Sequence, residues 1–180
     1  LAHAAGRRKM GFMAGNRDFL VGAELLESCG LAALPDPTVL SAWGRRVLLT
    51  HGDALCLADE SYQAFRRQVR GPDWQCDFLR QPLAERERLA REMRDASEAS
   101  KRRQTMADWS DVDGAAALEW MQATGSHDMV HGHTHRPGSE LLAPGYTRHV
   151  LSDWDCDATP ARAQVLRLTR DGFMRIDLAP

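Results

Sequence analysis

The chain of 180 residues lacks any apolar run that approaches the length of about 18 residues needed for a membrane-spanning helix. Its N-terminus shows no hydrophobic signal region. Charge of either sign is nearly balanced, with 23 Lys and Arg against 25 Asp and Glu. Without a strong positive excess there is no reason to expect a nucleic-acid partner. We expect a cytoplasmic protein.

Cysteine is scarce and scattered. The four cysteines are Cys29, Cys56, Cys76 and Cys156, and none of them forms a Cys-x-x-Cys pair. Zinc ribbons and redox-active sites need two such residues close together. We therefore expect four reduced, buried thiols that take no part in metal binding or redox chemistry.

β-Branched residues are almost absent between Asp59 and Trp109, where Arg, Glu and Ala dominate. This composition predicts a helical insertion. Its alternating charges are typical of a solvated helix stabilised by pairs four residues apart, although a cationic excess near its end could contact phosphates and sugar hydroxyls. Its apolar residues could form either the packing face of a cap or the wall of an acyl-chain groove, namely Trp74, Phe78, Leu79, Leu83 and Leu89.

Three histidines occupy alternate positions in the segment His131-Gly132-His133-Thr134-His135. The neutral imidazole of histidine is a common metal ligand. The segment follows apolar Met129 and Val130 and precedes Arg136-Pro137, which is typical of a strand that ends in a loop. A single histidine here would more often be a surface or core residue, but three within five residues favour a metal site.

Two other segments place polar groups directly after an apolar run. They are Gly15-Asn16-Arg17-Asp18 and His51-Gly52-Asp53. Taken singly, the first could cap a helix and the second could form a turn. The amide oxygen of an Asn side chain is, however, a reasonable metal ligand beside imidazoles. The neighbouring glycines would let the backbone approach an ion or a phosphate closely.

In this order, the three motifs resemble those of the calcineurin-like metallophosphoesterases. Within them, the chain is similar to the UDP-2,3-diacylglucosamine pyrophosphohydrolase family of lipid A biosynthesis. The narrower resemblance depends on His51 to Cys56 followed by Asp59 and by Tyr62 to Arg66, and it extends from about Met10 to the end of the chain.

The resemblance implies an enzyme that hydrolyses the pyrophosphate bond of UDP-2,3-diacylglucosamine, giving UMP and 2,3-diacylglucosamine 1-phosphate. It implies a dinuclear Mn²⁺ site, with Asn16, His51, His133 and His135 as metal ligands. Arg17 and His133 would be catalytic. The implied contacts to the UDP-linked diacylated glucosamine are Asn16, Arg17, Asp59, Ser97, Lys101 and His133. The family also implies contact with a membrane surface, in the cytoplasm at the inner membrane of a Gram-negative bacterium.

The chain departs from the family pattern in one respect. Members of the family begin with an Asp-x-His motif, followed by a Gly-Asp whose carboxylate bridges the metals. This sequence contains no Asp-x-His, and its only Gly-Asp is Gly52-Asp53, which belongs to the second motif. We expect that an N-terminal segment with its strands is absent and that the chain alone has little or no turnover. His131 is interpreted as a residue behind the ligands or a structural one. His149 and Asp153-Trp154 are interpreted as structural, although His149 could approach the sugar.

The order of elements predicts an α/β (α+β) fold, and by resemblance a metallophosphoesterase β-sandwich flanked by helices. Strands are expected near 11–15, 37–42, 45–51 and before His131, with helices over 19–29 and 114–123. Asp18 is the expected N-cap of the first helix, and Gly30 and Gly125 the expected helix ends. A terminal hairpin should turn at Asp171-Gly172. The domains are then a core at 1–58, the helical cap at 59–110 and the rest of the core at 111–180.

Two other functions fit the same residues. A phosphoesterase acting on a soluble nucleotide or phosphodiester could use the same metal site, and its cap aromatics would then be packed and not groove-lining. An inactive fragment or pseudoenzyme would explain the missing Asp-x-His.

Overall fold

The computed structural model describes residues 1–102 and 110–178, in which helices and strands alternate. The first elements are α1 (Ala2–Ala5), β1 (Gly11–Phe12), α2 (Ala23–Ser28), β2 (Ala32–Ala33), β3 (Thr38–Ala42) and β4 (Arg45–Thr50). A 3-10 turn (Asp53–Leu55) is followed by α3 (Glu60–Val69), α4 (Pro72–Arg80) and α5 (Leu83–Arg102). The last elements are α6 (Gly114–Ala123), β5 (Asp128–His131), β6 (Gly138–Ala143), β7 (Tyr146–Val150), β8 (Gln164–Thr169) and β9 (Gly172–Asp177).

A five-stranded mixed sheet in the order β3-β4-β5-β7-β6 forms the centre of the chain. β4, β5 and β7 run parallel, while β3 and β6 are antiparallel to their neighbours. The apolar runs of the two central strands place Val47, Leu48 and Met129 in the core, each fully buried. This arrangement confirms the predicted α/β class. β1 pairs with β2, and β8 with β9, in separate two-stranded sheets.

The chain divides into two compact units, one formed by Leu1–Leu55 with Val112–Pro180 and the other by Cys56–Asp111. In the first unit, the backbone N–H of Asp113 donates to the carbonyl of Leu55 at 2.8 Å. This bond joins the points at which the chain leaves and re-enters that unit. The Asp113 carboxylate also caps α6, since it accepts from the N–H of Ala116 at 2.8 Å.

The second unit contains α3, α4 and α5. Asp59 is the N-cap of α3 and accepts from the N–H of Tyr62 at 3.0 Å. Trp74 and Phe78 stack one turn apart in α4 with ring centroids 5.2 Å apart, and Phe78 is buried. Pairs along α5 link Arg88 to Glu85 and Glu92, as the mixed charge pattern predicts. No described helix is long and apolar enough to cross a membrane.

Several predicted boundaries are confirmed. α6 covers 114–123, and Gly125 follows it with φ of +60°. Gly30 follows the end of α2 with φ of +68°, a conformation that glycine adopts without strain. β3 and β4 lie at the predicted places.

Other predictions are wrong in detail. α2 begins at Ala23 and not at Phe19, and its N-cap is Gly22. Asp18 does not cap this helix, because its carboxylate accepts from the nearer N–H of Gly15. The turn of the last hairpin is formed by residues 170 and 171, and Gly172 is the first residue of β9.

The expectation of buried thiols also fails in part. Cys56 is buried and Cys29 half-buried, but Cys76 and Cys156 are exposed. Scattered spacing along the sequence indicates that the thiols are unpaired, which all four are. It carries no information on which face of an element each thiol occupies.

Candidate metal centre

The strand register brings two of the three motifs together at one edge of the sheet. Thr50, the last residue of β4, lies beside His131, the last residue of β5. Because the two strands are parallel, the segments that follow them leave the sheet side by side. The N–H of Gly132 donates to the carbonyl of His51 at 3.1 Å, which joins the two segments directly.

Hydrogen bonds to Asp36 and Thr50 also fix the backbone around His51. The Asp36 carboxylate accepts from the Thr50 hydroxyl at 2.6 Å and from the N–H of His51 at 3.3 Å. The buried Thr50 hydroxyl accepts in turn from the N–H of Gly52 at 3.2 Å. Buried backbone groups that are paired in this way hold the turn in one conformation. The backbone of His51 is therefore held at the end of β4.

Asn16 lies against the ring of His51. Its side-chain Oδ1 and its backbone N are each 3.2 Å from His51 Nε2. Two ligands that bind one divalent cation at about 2.1 Å and at right angles are separated by about 3 Å. The Oδ1 and Nε2 atoms therefore have the spacing of neighbouring ligands of one ion.

His133 completes a cluster of three side chains. Its ring meets the ring of His51 edge to face, with centroids 5.1 Å apart. Its backbone has a φ of +66°, an uncommon conformation for a residue with a side chain, which turns the chain sharply after β5. One amide oxygen and two imidazoles suit a divalent transition metal, so the residues present fit such an ion.

His135 has a different environment. Its side chain is 55% exposed, and its Nδ1 lies 4.0 Å from Asp153 Oδ2. The Asp153 carboxylate is bound by the guanidinium of Arg162, which lowers the pKa of Asp153. Among the described residues, no three His, Cys, Asp or Glu side chains form a metal-binding group. The cluster is thus defined by Asn16, His51 and His133, with His135 beside Asp153.

Two other histidines are buried. His131 is fully buried, and its Nδ1 lies 2.8 Å from the Gly132 carbonyl. His149 is also buried, between Ser139 Oγ at 2.8 Å and Asp128 Oδ1 at 3.3 Å. Burial lowers the pKa of His149, and the nearby Asp128 opposes this effect.

The remaining predicted site residues are spread over both units. Arg17 lies next to Asn16 with an exposed side chain. Asp59, in the second unit, caps α3 and also accepts from Ser61 Oγ at 2.8 Å. Ser97 is half-buried in α5. Lys101 lies in the last turn of the same helix, and its side chain is outside the described part of the structure.

Sequence reasoning did not identify Asp36 or the partner of His135. Asp36 is 15 residues before His51, and its only local signal is the Pro35-Asp36-Pro37 sequence, which is typical of a turn. Asp153 was interpreted as structural, and its position beside His135 depends on pairing between distant segments.

No protein-family model matches the chain, but curated relatives do. A UDP-2,3-diacylglucosamine hydrolase of Bordetella pertussis is 42% identical over 179 residues, which cover 97% of this chain and 69% of the relative. Proteins of the same name are 44% identical in Xanthomonas oryzae pv. oryzae, over 89% of this chain and 67% of the relative, and 46% identical in Chromobacterium violaceum, over 79% and 60%. At this identity and coverage, the chain belongs to the UDP-2,3-diacylglucosamine hydrolase family.

Proposed function

We propose that the protein is a metal-dependent hydrolase that cleaves the pyrophosphate bond of UDP-2,3-diacylglucosamine, in the pathway to lipid A. The products would be UMP and 2,3-diacylglucosamine 1-phosphate. The observation that supports this most directly is the cluster of Asn16, His51 and His133 at the ends of two parallel strands. The substrate named for the relatives contains a pyrophosphate, and such a cluster suits its hydrolysis.

We propose Mn²⁺ as the metal, in a site of two ions when the ligand set is complete. Asn16, His51 and His133 would hold one ion and His135 would contribute to the other. A divalent ion bound there supplies positive charge for the phosphoryl oxygens and a nucleophile from water near neutral pH. The mixture of nitrogen and oxygen ligands without thiolate suits this metal.

The chain's own groups would bind and orient the substrate. Arg17 follows the ligand Asn16, and its guanidinium stays charged at every physiological pH, so its planar donors suit a phosphate oxygen. His133 would keep its ring against His51 and contact the phosphate from the other side of the cluster. The phosphorus attacked would be the one on the UMP side.

The helical unit would select the lipid part of the substrate. We propose that Asp59, Ser97 and Lys101 contact the glucosamine and its phosphate. Exposed apolar side chains on its helices, with Leu79 44% and Leu83 62% exposed, suit acyl chains and the surface of the inner membrane. Phe78 is buried and stacked on Trp74, as the alternative with a soluble substrate expects of the cap aromatics, but the exposed Leu79 and Leu83 favour a lipid. In this proposal the protein works in the cytoplasm, peripheral to that membrane.

The test is Mn²⁺-dependent release of UMP from UDP-2,3-diacylglucosamine. It should be run on the 180-residue chain and on the same chain preceded by whatever coding sequence lies upstream of Leu1. We expect release in at least one form, reduced at least about a hundredfold by His51→Ala or His133→Ala, since each removes a proposed ligand. His127→Ala is the matched control, because His127 is exposed, precedes β5 and contacts Tyr146.

Circular dichroism should show that all variants are folded. Folded protein that releases no UMP in either form would contradict the proposal, as would full activity in the His51 and His133 variants.

A further inference from the structure

We propose that Asp153 is a positioning residue for His135, and that Arg162 holds Asp153 in place for this role. The inference rests on the proposed function, because it takes His135 as a metal ligand. It adds two residues outside the three motifs, from the segment between β7 and β8.

The position of Asp153 relative to His135 is the first observation. Its Oδ2 lies 4.0 Å from Nδ1 of the His135 ring. The His135 side chain is 55% exposed and that of Asp153 only 22%. The carboxylate is therefore the less exposed of the two groups, and we expect rotation of the exposed ring to bring Nδ1 within hydrogen-bond distance of it.

Arg162 provides the second observation. Its Nε donates to Asp153 Oδ1 at 3.1 Å and its Nη2 donates to Oδ2 at 2.8 Å. Two parallel bonds of this kind fix the orientation of a carboxylate as well as its place. The same Nη2 also donates to Asp155 Oδ2 at 3.2 Å.

The backbone around Arg162 is itself held. Asp155 and Arg162 form an isolated antiparallel bridge, in which the N–H of each donates to the carbonyl of the other at 2.8 and 2.9 Å. The guanidinium is thus anchored at its base by main-chain bonds. The bridge thus holds Arg162, Arg162 holds the Asp153 carboxylate, and that carboxylate lies beside His135.

The chemistry explains why a carboxylate is useful at this place. A neutral imidazole has one N–H and one nitrogen with a free lone pair. A carboxylate next to Nδ1 favours the proton on that atom, which leaves Nε2 as the nitrogen that binds a metal. Without it, an exposed ring on a loop with φ of +53° would sample both tautomers and several orientations.

The experiment measures Mn²⁺ affinity by isothermal titration calorimetry on the folded chain, together with the tautomer of His135 by ¹⁵N NMR. We expect Asp153→Ala to weaken Mn²⁺ binding by about 10- to 100-fold, the range typical of lost partners behind a metal ligand. Arg162→Lys keeps the charge but loses the fork, so a smaller loss of the same kind is expected. The His135 ring should be mainly the Nδ1–H form in the unchanged protein and a mixture in Asp153→Ala.

Asp155→Asn is the matched control. Asp155 also accepts from Arg162, but the carboxylate recorded beside His135 is that of Asp153. The Mn²⁺ affinity should therefore stay within about twofold of that of the unchanged protein, and the His135 ring should remain mainly in the Nδ1–H form. A melting-temperature measurement on each variant separates loss of positioning from loss of folding.

A His135→Ala variant separates the inference from the proposed function. If His135→Ala leaves Mn²⁺ affinity unchanged, the proposed metal role of His135 is wrong and the inference falls with it. If His135→Ala weakens binding but Asp153→Ala does not, the inference alone is overturned. Equal losses in the two single variants, with no further loss in the double variant, would show that the residues act as one unit.

Discussion

Among single residues, Gly15 is critical for the site because glycine has no Cβ atom. A Cβ atom at this position would lie 2.8 Å from Cε1 and 3.1 Å from Nδ1 of His51. Contacts this short force one group to move. Since the end of β4 holds the His51 backbone, the ring or the Asn16 loop must shift.

We predict that Gly15→Ala lowers Mn²⁺ affinity by about tenfold or more, in line with the cost of misplacing one metal ligand. Titration calorimetry measures it. Gly22→Ala is the control, because Gly22 has an ordinary φ of −82° and nothing within 4 Å of its added Cβ. Unchanged affinity in Gly15→Ala would contradict the close packing of Gly15 and His51.

The same residues show how far sequence reasoning reached. Motif order predicted Asn16, His51 and His133 as ligands from local signals, and the structure brings the three side chains together. It did not identify Asp36. The carboxylate of Asp36 accepts hydrogen bonds from the Thr50 hydroxyl and the His51 N–H, at the end of β4. The role of Asp18 was predicted wrongly. Its carboxylate accepts from the N–H of Gly15 and not from an N–H of α2, and residue spacing alone does not decide between these donors.

At the scale of elements, a buried polar interaction links three strands of the sheet. His149 on β7 lies between Ser139 on β6 and Asp128 on β5. The ring of Phe173 covers His149, with centroids 4.2 Å apart. Burial is the main cause of the lowered pKa of His149, with Asp128 opposing it and Arg175 adding to it.

This arrangement predicts a dependence of stability on pH. The pKa of His149 in the folded protein lies below its usual value of 6.5. Below pH 6.5 the unfolded chain therefore binds more protons at this residue than the folded chain does, so stability falls as pH falls. Only well above pH 6.5, by about two pH units, is the residue neutral in both states, and there it no longer affects stability.

Thermal unfolding between pH 8 and pH 5 tests this prediction. His149→Gln cannot titrate and keeps polar atoms for Ser139 and Asp128. We expect its melting temperature to fall less over this range than that of the unchanged protein. Parallel curves for the two proteins would show that His149 does not titrate differently in the two states.

Elements were predicted best where periodicity and end signals agree. α6 begins after Asp113 and ends before Gly125, and both signals are in the sequence. β8 and β9 alternate apolar and polar residues as predicted, with a turn displaced by one position. α2 was predicted too long at its start, because apolar spacing continues through residues 19–22 although the chain there forms turns.

At the scale of the whole molecule, the accessibility of the thiols gives a simple test of the fold. Cys76 and Cys156 are exposed, on different units, and Cys56 is buried. We predict that Cys76 and Cys156 react rapidly with a chromogenic thiol reagent in the folded protein. Cys56 should react only when the protein unfolds. Mass spectrometry of the labelled peptides identifies the sites, and protein in denaturant, where all four should react, is the control. Early labelling of Cys56 would contradict the packing of the 3-10 turn region.

The order of the sheet could not be predicted from the sequence. β7, and not β6, lies beside β5, so the chain passes over one strand position before it returns in a hairpin. Apolar alternation shows that a strand exists but not which neighbour it chooses, because pairing is decided by contacts between residues far apart in the chain. Composition predicts a helical insertion over 59–110, since a segment poor in β-branched residues interrupts strands on both sides, and the compact unit in the structure is Cys56–Asp111.

The bond between the N–H of Asp113 and the carbonyl of Leu55 has an evolutionary consequence. The two ends of the helical segment are adjacent, so the segment is an insertion that closes on itself. The entropy of closing such an insertion rises only with the logarithm of its length, by about 0.6 kcal/mol for each doubling. Helices could therefore be gained, lost or exchanged there at little cost to the strands that carry the histidines. Natural selection can then change the helical segment without changing the histidine cluster.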